Sequence, residues 1–242
     1  MLKALFFDFG GTLADIESDA RAHIEMFKEV VRRFSLDVDP KELSGKYDRL
    51  QIESYLNSDG KRYKRFIDRA CEIFEIIMKD YGVELCMEDM KWFRKVYVEK
   101  HMECIELYPE VKFTLNRIRR IFDGHIGIIS DADDWYISAL VERFNIADIF
   151  DSITTSDEAK YNKPHPRIFK LAFEKAGCQP EESMYIGDNY KRDILGAKSI
   201  GMKAVLILRP TRITEVESMD IPDYIIENLT ELIPIIENEQ RS

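Results

Sequence analysis

The chain predicts an α/β fold: a doubly wound, parallel, Rossmann-like sheet, interrupted near its start by an inserted α-helical segment. Three observations predict it. From Tyr108 onward, short apolar runs bounded by turn residues or charges alternate with amphipathic stretches, the pattern of buried parallel strands joined by crossover helices. Residues 16–107 hold few glycines and almost no such runs, and place apolar residues at helical spacing instead. The stretch Leu5-Phe6-Phe7-Asp8-Phe9-Gly10-Gly11-Thr12-Leu13 halts on one carboxylate and turns on two glycines. That puts Asp8 at the carboxyl edge of a sheet, where open α/β proteins bind ligands.

Taken in order, Leu2–Asp8 is the first strand. Helices are expected over Glu17–Phe34, Ser44–Leu56, Lys61–Tyr81 and Met87–Glu106, with Asp37–Pro40 and Asn57–Gly60 as connections. Tyr108-Pro109-Glu110 marks the return to the sheet, with Pro109 opening a helix. His125–Ser130, Ser183–Gly187 and Lys203–Leu208 are strands, and Asp148–Thr155 and Tyr224–Ile226 are shorter ones. Helices fill Asp134–Asn145, His165–Gly177 and Tyr190–Gly201, the last two ending on glycines that favour a helix stop. The polar residues Glu237–Ser242 read as a frayed end. The expected division is a core of residues 1–15 and 108–242 and a helical cap of residues 16–107.

Composition bounds the function. The 242 residues are 45% hydrophobic, enough for a sizeable core, and carry a net charge of -10. Such an acidic surface disfavours nonspecific binding to nucleic acid or anionic membrane. An anionic substrate would therefore need local positive charge inside its site. Cys71, Cys86, Cys104 and Cys178 form no CxxC pair and no zinc-ligand spacing, the usage of reduced thiols in a cytoplasmic protein. No apolar stretch is long enough to span a bilayer. The chain opens directly on a strand, so no signal peptide is expected.

Four segments fall at strand ends. Asp8-Phe9-Gly10-Gly11-Thr12 is the first, Ile128-Ile129-Ser130-Asp131 the second, Asn162-Lys163-Pro164 the third and Gly187-Asp188-Asn189-Tyr190-Lys191-Arg192-Asp193 the fourth. In a parallel sheet they converge on one crevice with a carboxylate, a hydroxyl, an ammonium and an acidic pair. Taken singly, Lys163 reads as a solvated loop lysine, and Asp188 and Asp193 as caps of the following helix. The lone histidines carry no assignment: His23 and His101 fit surface or cap helices, His125 a strand start, and His165 follows a proline near the site.

The four motifs in this order resemble the haloacid dehalogenase-like hydrolases, most of which are phosphatases. The resemblance covers residues 1–14 and about 108–235, and the helical insertion resembles that family's cap, which closes over the crevice. It implies Asp8 as nucleophile, Thr12 and Ser130 as binders of the phosphoryl oxygens, and Lys163 as the charge that offsets nucleophile and phosphate. It implies a Mg²⁺ site from Asp8, the Gly10 carbonyl, Asp188 and Asp193. Phosphoryl transfer asks chiefly for positioning and charge neutralisation, and a hard octahedral cation suits carboxylates, a carbonyl and water.

One position departs from the pattern. Phosphatases of this family carry a second aspartate two residues after the nucleophile, as general acid and base; here that residue is Gly10. Asp131, Asp133 or Asp134 could replace it, a cap residue could reach in, or the substrate could carry a good leaving group. A 2-haloacid dehalogenase, which expels halide without proton or metal, is the alternative. It lacks support from Asp188 and Asp193, and only Arg32 and Arg33 stand near the place of its halide-binding arginine. A phosphonate-cleaving enzyme would need a cap lysine such as Lys41 or Lys46, and a catalytically idle binding protein is a further alternative. The expected substrate is a small phosphorylated metabolite such as glyceraldehyde 3-phosphate, phosphoglycolate or a sugar phosphate. Among cap aromatics, Tyr47, Tyr55 and Tyr63 are candidates to approach it, with helix packing the plainer role.

Overall fold

A computed structural model of the chain describes residues 1–209 and 219–241. Strand β1 (Ala4–Phe7) is followed by four helices, α1 (Ile16–Phe34), α2 (Pro40–Leu56), α3 (Phe66–Asp80) and α4 (Met87–Cys104). Then come α5 (Val111–Ile121), β2 (His125–Ser130), α6 (Asp134–Arg143), β3 (Ser152–Thr155), the single turn α7 (Ser156–Ala159) and α8 (Pro166–Ala176). The chain continues with β4 (Ser183–Gly187), α9 (Gly196–Lys198), β5 (Lys203–Ile207), β6 (Tyr224–Ile226) and α10 (Leu232–Arg241). All six strands are parallel, in the order β3-β2-β1-β4-β5-β6. The sheet is thus the doubly wound parallel one that the apolar runs predict.

The chain forms two compact units: residues 1–15, 59–63 and 107–242, and residues 16–58 and 64–106. In the first, Phe6, Ile129, Phe169, Tyr185 and Leu206 are buried around the sheet, each large apolar side chain contributing about 1.5–3 kcal/mol. The second is a four-helix unit whose core holds Met26, Phe27, Tyr47, Phe74, Phe93 and Tyr97. Phe74 and Phe93 stack there with ring centroids 3.9 Å apart.

Five sequence expectations shift, each for a local reason. Helix α2 starts at Pro40 because the Asp39 carboxylate accepts the Lys41 N–H at 2.8 Å and proline suits the first helical position. Helix α5 starts at Val111, so Pro109 lies in the preceding turn. A 3-10 turn over Ala147–Ile149 takes the start of the Asp148–Thr155 run. The expected Tyr190–Gly201 helix opens as a π-helical turn over Tyr190–Leu195, with the Ile194 N–H reaching back to the Asn189 carbonyl. The carboxyl end stays helical to Arg241, anchored by Glu239, which pairs with Lys203 and accepts from the Tyr224 hydroxyl at 2.7 Å. Ser242 lies outside the described residues.

A sixth difference bears on the site. The sequence places Lys61 to Arg65 on a helix, yet α3 begins only at Phe66. Residues 59–63 belong to the sheet-containing unit, where they run along residues 160–163. The Gly60 N–H meets the Lys163 carbonyl at 3.2 Å, the Asn162 N–H meets the Lys61 carbonyl at 2.9 Å, and the Tyr63 N–H meets the Lys160 carbonyl at 3.0 Å.

Candidate active site

Register brings the strand ends level. Phe7 pairs with Ile128 on one side and Ile186 on the other, so Asp8 stands level with Ile129 and Gly187, one residue before Ser130 and Asp188. The Asp8 N–H continues the ladder to the Ile186 carbonyl at 2.8 Å. Gly11, at φ 81, makes the turn that follows, a backbone region that favours glycine.

Lys163 is the hub. Its ammonium lies 2.8 Å from Asp8 Oδ1, 2.6 Å from Asp193 Oδ1 and 3.0 Å from the Tyr185 hydroxyl. It is 2% exposed, which disposes of the solvated-loop reading. The Lys163–Pro164 peptide is cis. Burial works against the lysine's charge, but Asp193 and Asp8 hold its pKa well above the ordinary lysine value. Burial lifts the Asp8 carboxyl to about 6; the Lys163 ammonium opposes the rise and the Asp193 charge adds to it.

Asp188 is 1% exposed, and ligand oxygens of Asp8, Asp188 and Asp193 lie within 4.8 Å of one another. Three buried carboxylates face one ammonium, an all-oxygen donor set with surplus negative charge that fits a hard divalent cation. Both oxygens of Asp193 are engaged, Oδ1 by the Lys163 ammonium at 2.6 Å and Oδ2 by the Asn189 N–H at 2.9 Å. Its contact with Lys163 makes it an anchor of the lysine. Thr12 is fully buried, and its Oγ1 finds no hydrogen-bond partner among the described residues. Ser130, 5% exposed, ends β2.

The acids next to the second motif are differently occupied. Asp131 binds the Ser156 hydroxyl, accepts the Lys163 N–H at 2.9 Å and pairs with the Arg192 guanidinium at 2.9 Å. Arg192 in turn reaches Asp59 Oδ1 at 2.6 Å. The chain Asp59–Arg192–Asp131 therefore holds the Lys163 backbone in place. Asp134 accepts from the Thr155 hydroxyl. Asp133 accepts from the Tyr63 hydroxyl at 2.7 Å, so of the three tyrosines considered, Tyr63 meets the second motif. Tyr47 is buried in the helical core, and Tyr55 rests on Phe66 and Arg69.

Several residues escape sequence reasoning. Tyr185 sits inside β4, where its hydroxyl donates to the Ile129 carbonyl at 2.9 Å; a tyrosine in a fully buried strand needs such a partner, and that was the available signal. Gly187 is required by Asp193: an added Cβ would lie 2.5 Å from that side chain. Arg209, 5% exposed, holds the Thr12 carbonyl at 2.6 Å and Glu110 at 2.6 Å. At Gly10 the opposite holds, since a Cβ there would meet nothing within 4 Å. Three of the four basic residues named for halide or phosphonate chemistry make ion pairs in the helical unit, Arg32 with Glu29, Arg33 with Asp89 and Lys46 with Asp80. His165 caps α8, accepting the Arg167 N–H at 3.2 Å.

The parallel sheet and its buried acidic edge define an α/β enzyme with a cation-competent site. Residues 5–207 match the haloacid dehalogenase-like hydrolase family, and the chain belongs to it. A glyceraldehyde 3-phosphate phosphatase of Pyrococcus furiosus is 26% identical over 246 residues, covering 100% of this chain and 95% of the relative. The pyrophosphatase PpaX of Bacillus velezensis is 29% identical over 154 residues, covering 64% of this chain and 70% of its own length. Among solved structures, the HAD hydrolase YfnB of Bacillus subtilis bound to magnesium superposes with a TM-score of 0.79 at 19% identity, covering 98% of this chain and 99% of that one. A 2-haloacid dehalogenase from Pseudomonas syringae pv. Tomato superposes at 0.72 with 22% identity, covering 98% and 99%. At that identity the likeness is one of fold. Among the described residues, no helix is long and apolar enough to cross a membrane.

Proposed function

We propose that the protein is a Mg²⁺-dependent phosphatase of a small phosphorylated metabolite, acting through a phospho-aspartate on Asp8. The observation that carries this reading is the buried Lys163 bridging Asp8 and Asp193 beside Asp188. Asp8, Asp188 and the Gly10 carbonyl would hold the cation, with Asp193 contributing its charge. Bound there, Mg²⁺ supplies the positive charge that neutralises the phosphoryl oxygens.

The chain's own groups account for the rest. With its carboxyl titrating near 6, Asp8 is a carboxylate at neutral pH, and Lys163 fixes its orientation. An Asp8 oxygen bonds phosphorus as the ester oxygen leaves with the bonding pair. Thr12 and Ser130 donate to the phosphoryl oxygens. Water then attacks the phosphorus, releasing inorganic phosphate and the free carboxylate. At Gly10 no side chain protonates the departing oxygen, so substrates whose leaving group needs little protonation are favoured. On similarity glyceraldehyde 3-phosphate stands first among candidates, because a relative named glyceraldehyde 3-phosphate phosphatase is matched along 95% of its length, followed by phosphoglycolate; both are alkyl esters, which the missing acid makes slow. Pyrophosphate, the substrate class in the name of a second relative, has phosphate as a leaving group that needs little protonation, and it belongs in the same test.

Phosphate release is measured from an aryl phosphate, pyrophosphate, glyceraldehyde 3-phosphate and phosphoglycolate, with and without Mg²⁺, beside halide release from a 2-haloacid. Mg²⁺-dependent phosphate release that Asp8→Asn abolishes is the expected outcome. Halide release without metal would replace the reading with the dehalogenase that Gly10 permits.

A further inference from the structure

The helical unit holds two histidines that the phosphatase reading leaves unused. His23 and His101 are 2% and 1% exposed, contrary to the surface positions their sequence contexts allow. We infer that Asp19, His23 and His101 form a second cation site, selective for a borderline transition ion such as Zn²⁺.

Geometry supports it first. Asp19 and His23 stand one turn apart on α1, and His101 lies in the last turn of α4. Asp19 Oδ2 is 3.9 Å from His23 Nε2, and Asp19 Oδ1 is 3.6 Å from His101 Nε2. One ligand atom from each of the three residues falls within 4.8 Å of the others. Tetrahedral zinc with bonds near 2.0–2.1 Å holds its ligand atoms about 3.3 Å apart. Side-chain movements of about an ångström therefore complete the site. The imidazoles converge, with centroids 5.2 Å apart and planes at 62°.

Each histidine is also prepared on its far side. His23 Nδ1 is 2.6 Å from Asp48 Oδ1, and His101 Nδ1 is 2.7 Å from the Tyr97 carbonyl. A carbonyl and a carboxylate can only accept, so both Nδ1 atoms carry hydrogen and both Nε2 atoms face Asp19. Metal-binding histidines are oriented in this way, by a carboxylate or backbone carbonyl on the other ring nitrogen. His23 Nε2 finds no hydrogen-bond partner among the described residues, an unexplained cost in a buried ring. The Asp19 side chain is 45% exposed, leaving an entry path and a fourth position for water. Asp19 and Asp48 together balance a divalent charge.

Two imidazoles and one carboxylate favour Zn²⁺ over Mg²⁺, whereas the oxygen-only cluster around Asp8 has the reverse preference. Without metal, burial disfavours a charged His23, but Asp19 and Asp48 raise its pKa, while burial takes His101 down to about 4.

The test is calorimetric titration of tag-free, full-length protein with Zn²⁺ in excess Mg²⁺, with melting curves alongside. One Zn²⁺ per chain and a higher melting temperature are expected. Asp188→Asn should leave this site intact. Asp19→Asn should weaken zinc binding at least about tenfold, and Asp48→Asn, which only orients His23, about 10–100-fold. His23→Gln and His101→Gln should abolish it; if either fails to fold, the partly exposed Asp19 and Asp48 decide. Absence of zinc binding, an affinity untouched by Asp19→Asn, or a loss caused by Asp188→Asn would each overturn the inference.

Discussion

Gly10→Asp should turn a slow phosphatase into a faster one. The position is exposed, its φ is not positive, and an added Cβ meets no heavy atom within 4 Å. The substitution should therefore shift stability by no more than about 0.5 kcal/mol. It restores a carboxyl group two residues after Asp8, where a proton donor to the leaving oxygen is otherwise missing. A positioned acid contributes roughly 10²–10⁴-fold, or about 2.7–5.4 kcal/mol at 1.36 kcal/mol per tenfold. That gain belongs to substrates with poor leaving groups. We expect kcat for an alkyl phosphate to rise by about two orders of magnitude or more, while an aryl phosphate changes little. The assay compares the two substrates in wild type and variant across pH, and the variant's alkyl profile should gain a limb that falls as the new carboxyl loses its proton. If both substrates accelerate equally, or if wild type already hydrolyses the alkyl ester as fast as the aryl one, the reasoning about Gly10 fails.

Other expectations follow from the same geometry. Folded Asp8 titrates near 6 against an ordinary 3.8, so it binds more protons than the unfolded chain between those values. Metal-free stability should fall as pH rises through that window, by about 3 kcal/mol in all. Asp8→Asn should remove that pH dependence in chemical denaturation while abolishing turnover; an unchanged pH dependence refutes the assignment. Asp188→Ala should lower Mg²⁺ affinity and activity together in a metal titration, and an unaltered titration removes it as a ligand. Gly187→Ala forces a methyl to within 2.5 Å of Asp193, so urea melts should show a loss of about 1–3 kcal/mol together with reduced kcat. Arg192→Met strips the guanidinium from Asp131 and Asp59, and a loss of about 3 kcal/mol is expected in the same melts.

The sheet was legible because its strands are buried on both faces, so Leu5–Phe7, Ile126–Ile129 and Met184–Ile186 stand out as apolar runs. Strand ends carried the site motifs for the same reason, each being the point where apolar sequence stops. What stayed hidden depends on contacts between distant residues. Nothing local marks the π-turn at Tyr190–Leu195, where Asp193 reaches Lys163 and the Asn189 N–H. The helical spacing around Lys61–Arg65 gave no sign that residues 59–63 pair with residues 160–163. The buried histidines did leave a trace. His23 shares a helix face with Met26, Phe27 and Val30, and His101 follows Phe93 and Tyr97 at four-residue steps, stripes in which an imidazole is an interior group.

The order of the strands has a consequence for biosynthesis. Strand β1 is made before the other five strands yet lies inside the sheet, between β2 and β4. Its first partner begins at His125 and its second at Ser183, so Asp8 stays on an unpaired, strongly apolar segment until both are made. The helical unit, drawn from residues 16–106, is complete in sequence long before either partner exists. A nascent chain stalled between Glu106 and Asp188 would carry Asp8 and every helix of that unit and still lack Asp188. Until then Leu5, Phe6 and Phe7 are a natural binding stretch for chaperones that recognise extended apolar sequence.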